Sequence, residues 1–470
     1  MKYTTSLLFP LAGLALAARD CTTSDQKDRN EGGNSFCGAV DQIVYSHFIR
    51  NGSFQAVTDM SSGCQFKEET FEGPLATFDK DLSLHFRGPF HLKEVAVYNL
   101  ASKTKRDDEP HQAEAGSSLR SPGGSHGYGH RLLHRSQRRR RAMITATATI
   151  DGKVVSFEFP EAAPPTPKPS PKNALDAQKQ QQSIPKKPSD AAEPQIKAKV
   201  KTGENPESKK HVPSGSAWDR VAHYNAEKQS AEGLVFMGNY GNPESWDLDR
   251  VYGSSLSYLS STGDGRSAQP EVLSDRVIPS NKEFSIFSDN ECKDRSCGYV
   301  RPGTPAYKGF AGGNKAFLFH FKMPFDKAAP GGFNVDMPAI WSLNARIPRT
   351  GQYTECSCWK SGCGEFDIFE VLAPGDNKAK STVHLSNQVG SGGSSDYFLR
   401  PTEKFIKLAM VFHAESGKVS IKIIPDSTDF AKGLDDATVM SWIGGDSGDG
   451  AVKALGAKYS TFELNPPSQF

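Results

Sequence analysis

The stretch CGEFDIFEVL, residues 363–372, is typical of a buried β-strand, yet it carries three carboxylates. Side chains alternate between the two faces of a strand. Glu365 and Asp367 therefore share one face, and their apolar neighbours point to the other. In a regular strand Glu370 would fall on the apolar face, where an unpaired carboxylate costs several kcal/mol.

A β-bulge removes this conflict. One extra residue, at Ile368 or Phe369, reverses the phase of the strand and brings Glu370 to the face of the other two acids. The stretch therefore predicts a bulged strand whose three carboxylates line one concave face.

The sequence around this strand, from about 212 to 470, consists of short apolar runs separated by Gly- and Ser-rich turns. The clearest runs are KAFLFHFKMPF (315–325), KSTVHLS (380–386), KFIKLAMVFHA (404–414) and KVSIKIIP (418–425). Convincing helical periodicity is scarce. The pattern predicts an all-β fold, an antiparallel β-sandwich in one domain of ordinary size.

A separate small β domain with disulfides is expected over residues 19–100. Within it, DLSLHFRGPFHLKEVAVYNL (81–100) has two runs of alternating apolar residues around a Gly-Pro break. The range has no paired acids and no histidine cluster. We therefore assign it a binding or structural role.

Residues 101–211 are rich in Pro, Lys, Gln, Ser and Glu, which is typical of a disordered linker. A β-hairpin is expected within it at 143–159. We expect a processing protease as a partner, because exposed linkers are preferred sites of cleavage. Its expected sites are the pair Lys105-Arg106 and the run Arg138 to Arg141. A merely solvated charge run is the alternative.

Residues 1–18 have the charged start, apolar run and small-residue end of a secretory signal peptide. No later stretch reaches the ~18 to 20 apolar residues of a transmembrane helix. The end STFELNPPSQF (460–470) lacks the hydrophobic tail of a lipid-anchor signal. We expect a secreted protein, extracellular or in the cell wall, without a membrane anchor. Asn51-Gly52-Ser53 is a glycosylation sequon, and the net charge of +2 argues against nucleic acid as a partner.

Eight cysteines in an exported chain indicate disulfides. They form two odd-numbered clusters: Cys21, Cys37 and Cys64, then Cys292, Cys297, Cys356, Cys358 and Cys363. Either one bond joins the clusters or one thiol in each stays unpaired. Zinc binding by the second cluster is a further alternative, which an oxidising compartment disfavours.

Paired carboxylates suit glycoside hydrolysis with retention, which needs two carboxyl groups about 5 to 5.5 Å apart. Alternate positions on a strand are ~6.6 Å apart, so bending and side-chain reach must close the gap. Asp367, lying between Glu365 and Glu370, would couple their titrations and keep one of them protonated near neutral pH. Taken alone, the motif fits a solvated edge strand equally well.

The surrounding sequence resembles a known enzyme family. MPAIWSLN (337–344), GEFDIFE (364–370) and the following VH resemble the signature of family-16 glycoside hydrolases, the laminarinase and lichenase group. Residues 216–242 and 277–310 are similar to the C-terminal domain of a fungal cell-wall family of endo-β-1,3-glucanases, and 82–98 to its N-terminal domain. The resemblance covers nearly all of the chain outside the linker. It implies a concanavalin-like jelly-roll fold.

The resemblance also implies roles for the acids. Glu365 corresponds to the nucleophile, Asp367 to the assisting acid and Glu370 to the general acid/base.

Four further residues are expected to bind substrate. Trp341 would pack an aromatic face against a pyranose, with a plain core tryptophan as the alternative. His384 would hydrogen-bond near the acid/base or the substrate, with a merely satisfied polar group as the alternative. Trp359 and Tyr353 lie in a Cys-rich loop that departs from ordinary family-16 enzymes, so the loop leaves the shape of the cleft open.

We therefore predict a secreted retaining hydrolase of β-1,3-glucan that remodels the fungal cell wall and needs no cofactor. A cell-wall transglycosylase with the same covalent intermediate and a non-catalytic glucan-binding wall protein remain alternatives. Serine nucleophile chemistry has no support, because no G-x-S-x-G elbow occurs and GDSGDG (445–450) has the composition of a turn.

Overall fold

The computed structural model describes residues 29–31, 34–101, 143–150, 153–160, 217–241, 253–293, 296–326, 334–385, 391–444 and 458–464. The predicted signal peptide, most of the predicted linker and its basic sites lie outside these residues. The chain divides into two compact units, one made of Met1–Ala101 with Lys197–Phe470 and the other of Ser102–Ile196. Strands are numbered β1 to β25 along the chain.

The first unit contains a nine-stranded antiparallel sheet. In order across the sheet its strands are β14 (Arg266–Ser267), β13 (Ser257–Leu259), β12 (Leu234–Gly238), β16 (Glu283–Ser288), β6 (Leu82–Arg87), β18 (Ala339–Asn344), β19 (Glu365–Val371), β20 (Lys378–His384) and β21 (Phe398–Leu399).

A ten-stranded sheet forms the second layer. Its main path runs β11 (Ser230–Glu232), β10 (Trp218–Asn225), β7 (Phe90–Leu100), β17 (Asn314–Lys322), β22 (Ile406–His413), β23 (Lys418–Ile424), β3 (Gln42–Ser46) and β25 (Tyr459–Glu463). Two short strands, β15 (Val277–Ile278) and β24 (Gly433–Leu434), pair with β7 and β10. Strand β25 runs parallel to β3, and the other described pairs in this sheet are antiparallel.

The remaining elements of the first unit are short. They are β1 (Arg29–Glu31) with β2 (Asn34–Phe36), the hairpin β4 (Asn51–Asp59) with β5 (Gln65–Glu72), helices α1 (Arg346–Arg349) and α2 (Asp436–Ile443), and 3-10 turns at Ala76–Asp79 and Trp359–Ser361. Among the described residues no helix has the length and apolar character needed to cross a bilayer.

The second unit contains β8 (Met143–Ile150) and β9 (Lys153–Pro160), which pair antiparallel along their whole length. This pairing is the hairpin that the sequence predicts over 143–159.

One apolar core fills the space between the two large sheets. Alternate residues of β6 and of β17 meet in it, and they are fully buried: Leu82, Leu84, Phe86, Phe317, Phe319 and Phe321. Each such side chain contributes roughly 1.5–3 kcal/mol of hydrophobic free energy on burial. The all-β sandwich predicted from the sequence is confirmed.

The separate β domain expected over 19–100 is not present in the described residues. Strand β6 lies between β16 and β18, and β7 lies between β10 and β17. All six residues of β6 are buried, because other residues cover both faces of the strand. Alternation identified these strands correctly, but it carries no information on which distant strand each one pairs with.

A disulfide also joins the N-terminal part of the chain to the rest of the sandwich. Cys64 is bonded to Cys356, Cys292 to Cys297 and Cys358 to Cys363, and Cys37 is also disulfide-bonded. Of the two pairing alternatives, a bond between the clusters is therefore correct. The zinc alternative is wrong, because the cysteines it needs are oxidised.

Candidate active site

Strand β19 contains the predicted bulge. Asp367 lies opposite Trp341 of β18, and Phe369 lies opposite the preceding residue of that strand, Ile340. Two steps along β19 thus match one step along β18, so Ile368 is the extra residue. The register with β20 shifts in the same interval, between Asp367 and Glu370.

The bulge determines which way the acids point. Ile368 and Phe369 are consecutive, yet both are buried in the core between the sheets. Glu370 therefore returns to the side occupied by Glu365 and Asp367, which is the outer face of the nine-stranded sheet. The sequence prediction that all three carboxylates share a face is confirmed.

A glycine places the start of β19 against its neighbour. Gly364 has a φ of +109°, and a Cβ there would lie 2.5 Å from the Thr77 hydroxyl oxygen. The Gly364 carbonyl accepts a hydrogen bond from the Asn344 amide at 2.9 Å. Only glycine combines this backbone conformation with such close packing, so the position of Glu365 depends on it.

Both carboxylate oxygens of Glu365 accept hydrogen bonds. The Tyr353 hydroxyl donates to Oε1 at 2.7 Å, and the Trp359 indole N–H donates to Oε2. Glu365 is only 7% exposed. The two side chains predicted to contact sugar thus contact the Glu365 carboxylate, and their contact with sugar stays a prediction.

The environment of Glu365 has opposing effects on its ionisation. Burial raises the pKa of Glu365, and the negative charge of Glu370 adds to this. The positive charge of His384 and the two hydrogen bonds lower the pKa but do not cancel the effect of burial. Tyr353 and Trp359 therefore stabilise the ionised form of Glu365, which burial disfavours.

The segment 350–363, called the cysteine loop, holds these two donors. The rings of Tyr353 and Trp359 meet edge to face at 5.3 Å. The bond Cys358–Cys363 closes the turn that carries Trp359, and Cys64–Cys356 fastens the loop to the β4–β5 hairpin. Covalent bonds therefore hold the donors over the acid.

The β4–β5 hairpin covers the outer face beside the cysteine loop. Phe54 and Ala56 of the hairpin cluster with Trp341 and Leu343 of β18. The hairpin is also tied to the loop by a hydrogen bond from the Gln55 amide to the Ser361 hydroxyl, 2.9 Å long. Residues from the first 100 positions of the chain therefore cover this part of the site.

Asp367 forms an ion pair with His384, whose Nε2 lies 2.8 Å from Asp367 Oδ2. Burial raises the pKa of Asp367 to about 8, and the charge of Glu370 adds to this. Burial lowers the pKa of His384, but its hydrogen bond to Asp367 and the neighbouring negative charges outweigh burial and raise that pKa to about 9. The pair therefore binds a proton tightly at neutral pH. The described partner of His384 is thus Asp367, and the predicted hydrogen bond of His384 near the acid/base or to the substrate stays a prediction.

Glu370 is held by Arg87, which projects from β6. The guanidinium Nη2 donates to Glu370 Oε1 at 2.9 Å, and Nε donates to the Met337 carbonyl at 2.7 Å. Between the two side chains lies Ala339, which is the register partner of both. Its small side chain leaves room for the arginine to reach across β18.

Trp341 is buried against neighbours on the outer face. Its ring stacks on His85 with centroids 5.3 Å apart and planes at 29°, and the Arg87 guanidinium carbon lies 5.8 Å from its centroid. With 4% exposure, the ring has no open face to offer a pyranose. Its indole N–H has no hydrogen-bond partner in the described structure, so a contact from this edge to sugar stays a prediction.

Sequence reasoning missed Arg87 and His85, because it placed them in a separate, non-catalytic domain. The signal was the alternation in LSLHFR (82–87), where polar residues occupy every second position. Burial lowers the pKa of His85 to about 3, so it stays neutral. Its Nε2 lies 2.8 Å from the Ser83 hydroxyl.

Within the described ranges no group of three or more His, Cys, Asp or Glu side chains is placed to hold a metal ion.

Comparison with known families gives two matches. A family model for the C-terminal part of cell wall protein YJL171C/Tos1 matches residues 216–442, and a model for the N-terminal part of the same protein matches residues 41–100. No solved structure matches the chain.

Similar proteins occur in several fungi. A protein of Arthroderma benhamiae named "Probable circularly permuted 1,3-beta-glucanase" is 40% identical over 439 residues, which is 89% of this chain and 92% of that protein. The TOS1 protein of Candida albicans, with the same descriptive name, is 33% identical over 88% of this chain and 92% of its own length. The TOS1 protein of Saccharomyces cerevisiae, also so named, is 33% identical over 92% of this chain and 94% of its own length.

Proposed function

The chain belongs to the YJL171C/Tos1 family of cell wall proteins, and from this premise we propose that it is a retaining glycoside hydrolase that cleaves β-1,3-glucan. The observation that carries the proposal is the bulge at Ile368, which turns Glu370 toward the face that holds Glu365 and Asp367. The names of the relatives supply the substrate class.

In the proposed first step, Glu365 attacks the anomeric carbon of the glucan while Glu370 donates its proton to the departing glycosidic oxygen. The C–O bond to the leaving sugar breaks, and a covalent bond to Glu365 forms. Tyr353 and Trp359 favour the ionised Glu365 that this attack requires.

In the second step Glu370 accepts a proton from water, which attacks the same carbon and releases Glu365 as a carboxylate. Asp367 lies between the two glutamates, and it is hydrogen-bonded to His384. We propose that Asp367 and His384 limit the net negative charge around Glu365 and Glu370 during both steps.

Circular permutation is part of the proposal, since it appears in the names of the relatives. Two observations support it. The N-terminal strands β6 and β7 lie in the interior of their sheets, and the C-terminal strand β25 lies beside β3. A sandwich in which an N-terminal and a C-terminal strand are neighbours accepts new chain ends at another loop.

We propose that residues 1–18 direct export and that the enzyme acts in the cell wall. The family description supports the location, and the disulfides support an oxidising compartment. Residues 101–211 remain proposed as a linker whose basic sites a processing protease cleaves.

The test is release of reducing sugar from soluble β-1,3-glucan by the wild type and by Glu365→Gln. We expect release by the wild type only, with the β-anomer formed first, as followed by NMR. Equal, negligible release by both proteins, while both bind insoluble glucan, would sink the enzyme proposal. Products longer than the starting oligosaccharides would instead identify a transglycosylase.

A further inference from the structure

Arg87 belongs to a row of charged residues across the outer face of the nine-stranded sheet. Register places Glu283 beside Arg87, Arg87 beside Ala339, Ala339 beside Glu370, and Glu370 beside Lys380. The row crosses five adjacent strands, and acidic and basic side chains alternate on either side of the alanine.

Glu283 is the second carboxylate that faces the arginine. Its Oε1 lies 3.9 Å from Arg87 Nη1, whereas Glu370 Oε1 lies 2.9 Å from Nη2. The Glu283 side chain is 41% exposed, and that of Glu370 is 20% exposed. Distance and solvent screening both make Glu370 the stronger partner of the guanidinium.

Other charged groups face Glu370 less directly. Asp367 and Glu365 approach from its own strand, and His384 approaches from β20. Lys380 is its register partner, but the ammonium donates to the Ser35 and Ser394 carbonyls. Arg87 is the cation that donates a hydrogen bond to Glu370.

We propose that Arg87 is a positioning residue for Glu370 and that Glu283 is the counter-charge that limits its effect. This inference rests on the proposed function, in which Glu370 must exist as an acid in one step and as a carboxylate in the next. Arg87 fixes one carboxyl oxygen, so the other oxygen is oriented for proton transfer.

The charge of Arg87 also affects the balance between the two steps. A guanidinium in contact stabilises the carboxylate relative to the carboxylic acid. It therefore assists proton donation to the leaving sugar and weakens proton abstraction from water. Glu283 shares the guanidinium and adds a negative charge nearby, so it acts in the opposite direction.

Substitutions at the two positions therefore have effects of opposite sign on the first step. Arg87→Met should lower kcat/KM on β-1,3-glucan roughly tenfold or more, because Glu370 loses its orientation, and should leave kcat/KM near the wild-type value on a 4-nitrophenyl laminari-oligosaccharide, whose leaving group needs no proton. Glu283→Gln should change the ratio of the two kcat/KM values in the opposite direction by a smaller amount. Arg87→Lys keeps the charge but loses the planar contact with both Glu370 and the Met337 carbonyl, so it should also lower kcat/KM on β-1,3-glucan.

The matched control is Arg220→Gln, which removes an arginine that donates to the Phe430 carbonyl from the ten-stranded sheet. It should leave the ratio of the two kcat/KM values unchanged. Melting temperatures of all variants separate loss of fold from loss of positioning. A structural role alone would lower kcat/KM by the same factor on both substrates in Arg87→Met, and that result would overturn the inference.

A measurement without substrate distinguishes failure of this inference from failure of the proposed function. Crystal structures of the wild type, Arg87→Met and Glu283→Gln compare the position of the Glu370 carboxyl group. A carboxyl group that leaves its wild-type position in Arg87→Met and keeps it in Glu283→Gln supports the inference even if β-1,3-glucan is not cleaved. An unmoved carboxyl group in Arg87→Met refutes it even if the wild type is active.

Discussion

The two ends of strand β19 hold their carboxylates by different means. At the first end, Glu365 is bound by neutral donors, Tyr353 and Trp359, from the cysteine loop. At the other end, Glu370 is bound by the cation Arg87 from β6. Neutral donors orient a carboxylate without adding a charge, whereas a guanidinium places a full positive charge beside it. One end thus holds the proposed nucleophile, and the other holds the proposed acid/base, whose proton must come and go.

The largest expected effect distinguishes the proposed acid/base from the proposed nucleophile. Glu370→Gln should lower kcat on β-1,3-glucan by about 10²- to 10⁴-fold, the usual contribution of a general acid. With a 4-nitrophenyl laminari-oligosaccharide, whose leaving group needs no proton, the first step should recover and release a burst of nitrophenol. Glu365→Gln should show no burst with either substrate. A burst from Glu365→Gln, or none from Glu370→Gln, would mean that the two ends have exchanged roles.

A second prediction tests whether disulfide bonds are needed to hold the hydrogen-bond donors near Glu365. Removing Cys64–Cys356 by a double alanine substitution should lower the free energy of unfolding by up to about 5 kcal/mol, since the bond closes a long loop. The bond Cys292–Cys297 closes a short loop, and its removal should cost about 2 kcal/mol. Chemical denaturation measures both.

Activity measured below the melting temperature sharpens this comparison. The variant without Cys64–Cys356 should lose kcat, because Tyr353 and Trp359 are no longer fixed over Glu365. The variant without Cys292–Cys297 should keep it. Equal activities in the two variants would show that the cysteine loop holds its position without the bond.

A smaller effect concerns one donor. Tyr353→Phe removes the hydroxyl that donates to Glu365 Oε1 and leaves the ring packed on Trp359. A hydrogen bond to a charged group contributes about 1.5–3 kcal/mol, so kcat/KM should fall by roughly 10- to 100-fold. An unchanged kcat/KM would mean that Trp359 alone is sufficient to position the acid.

The sequence predicted the local features of this site and missed the long-range ones. The phase slip in GEFDIFE identified the bulge, because alternation is a property of one strand. It also singled out Tyr353 and Trp359 as sugar-binding residues, but it did not predict their hydrogen bonds to Glu365, since a loop sequence does not reveal what its side chains reach. Arg87 and His85 were missed because their importance depends on β6 pairing with β18, some 250 positions away.

The same reason explains the error in domain organisation. The alternation in 82–100 correctly predicted two strands, and an independent small sheet was the simplest way to pair them. In the structure β6 and β7 enter different sheets and complete a core to which most of the other strands come from beyond the predicted linker. Strand pairing across such a gap leaves no periodic trace in the sequence.

The bond between Cys64 and Cys356 has a consequence for cleavage of the chain. It joins a residue before the segment 102–216 to a residue after it, and β6 and β7 pair with strands on the far side of that segment. A protease that cuts there would produce a two-chain protein. Its fragments would stay together through interleaved strands and one covalent bridge, and they would separate on a denaturing gel only after reduction.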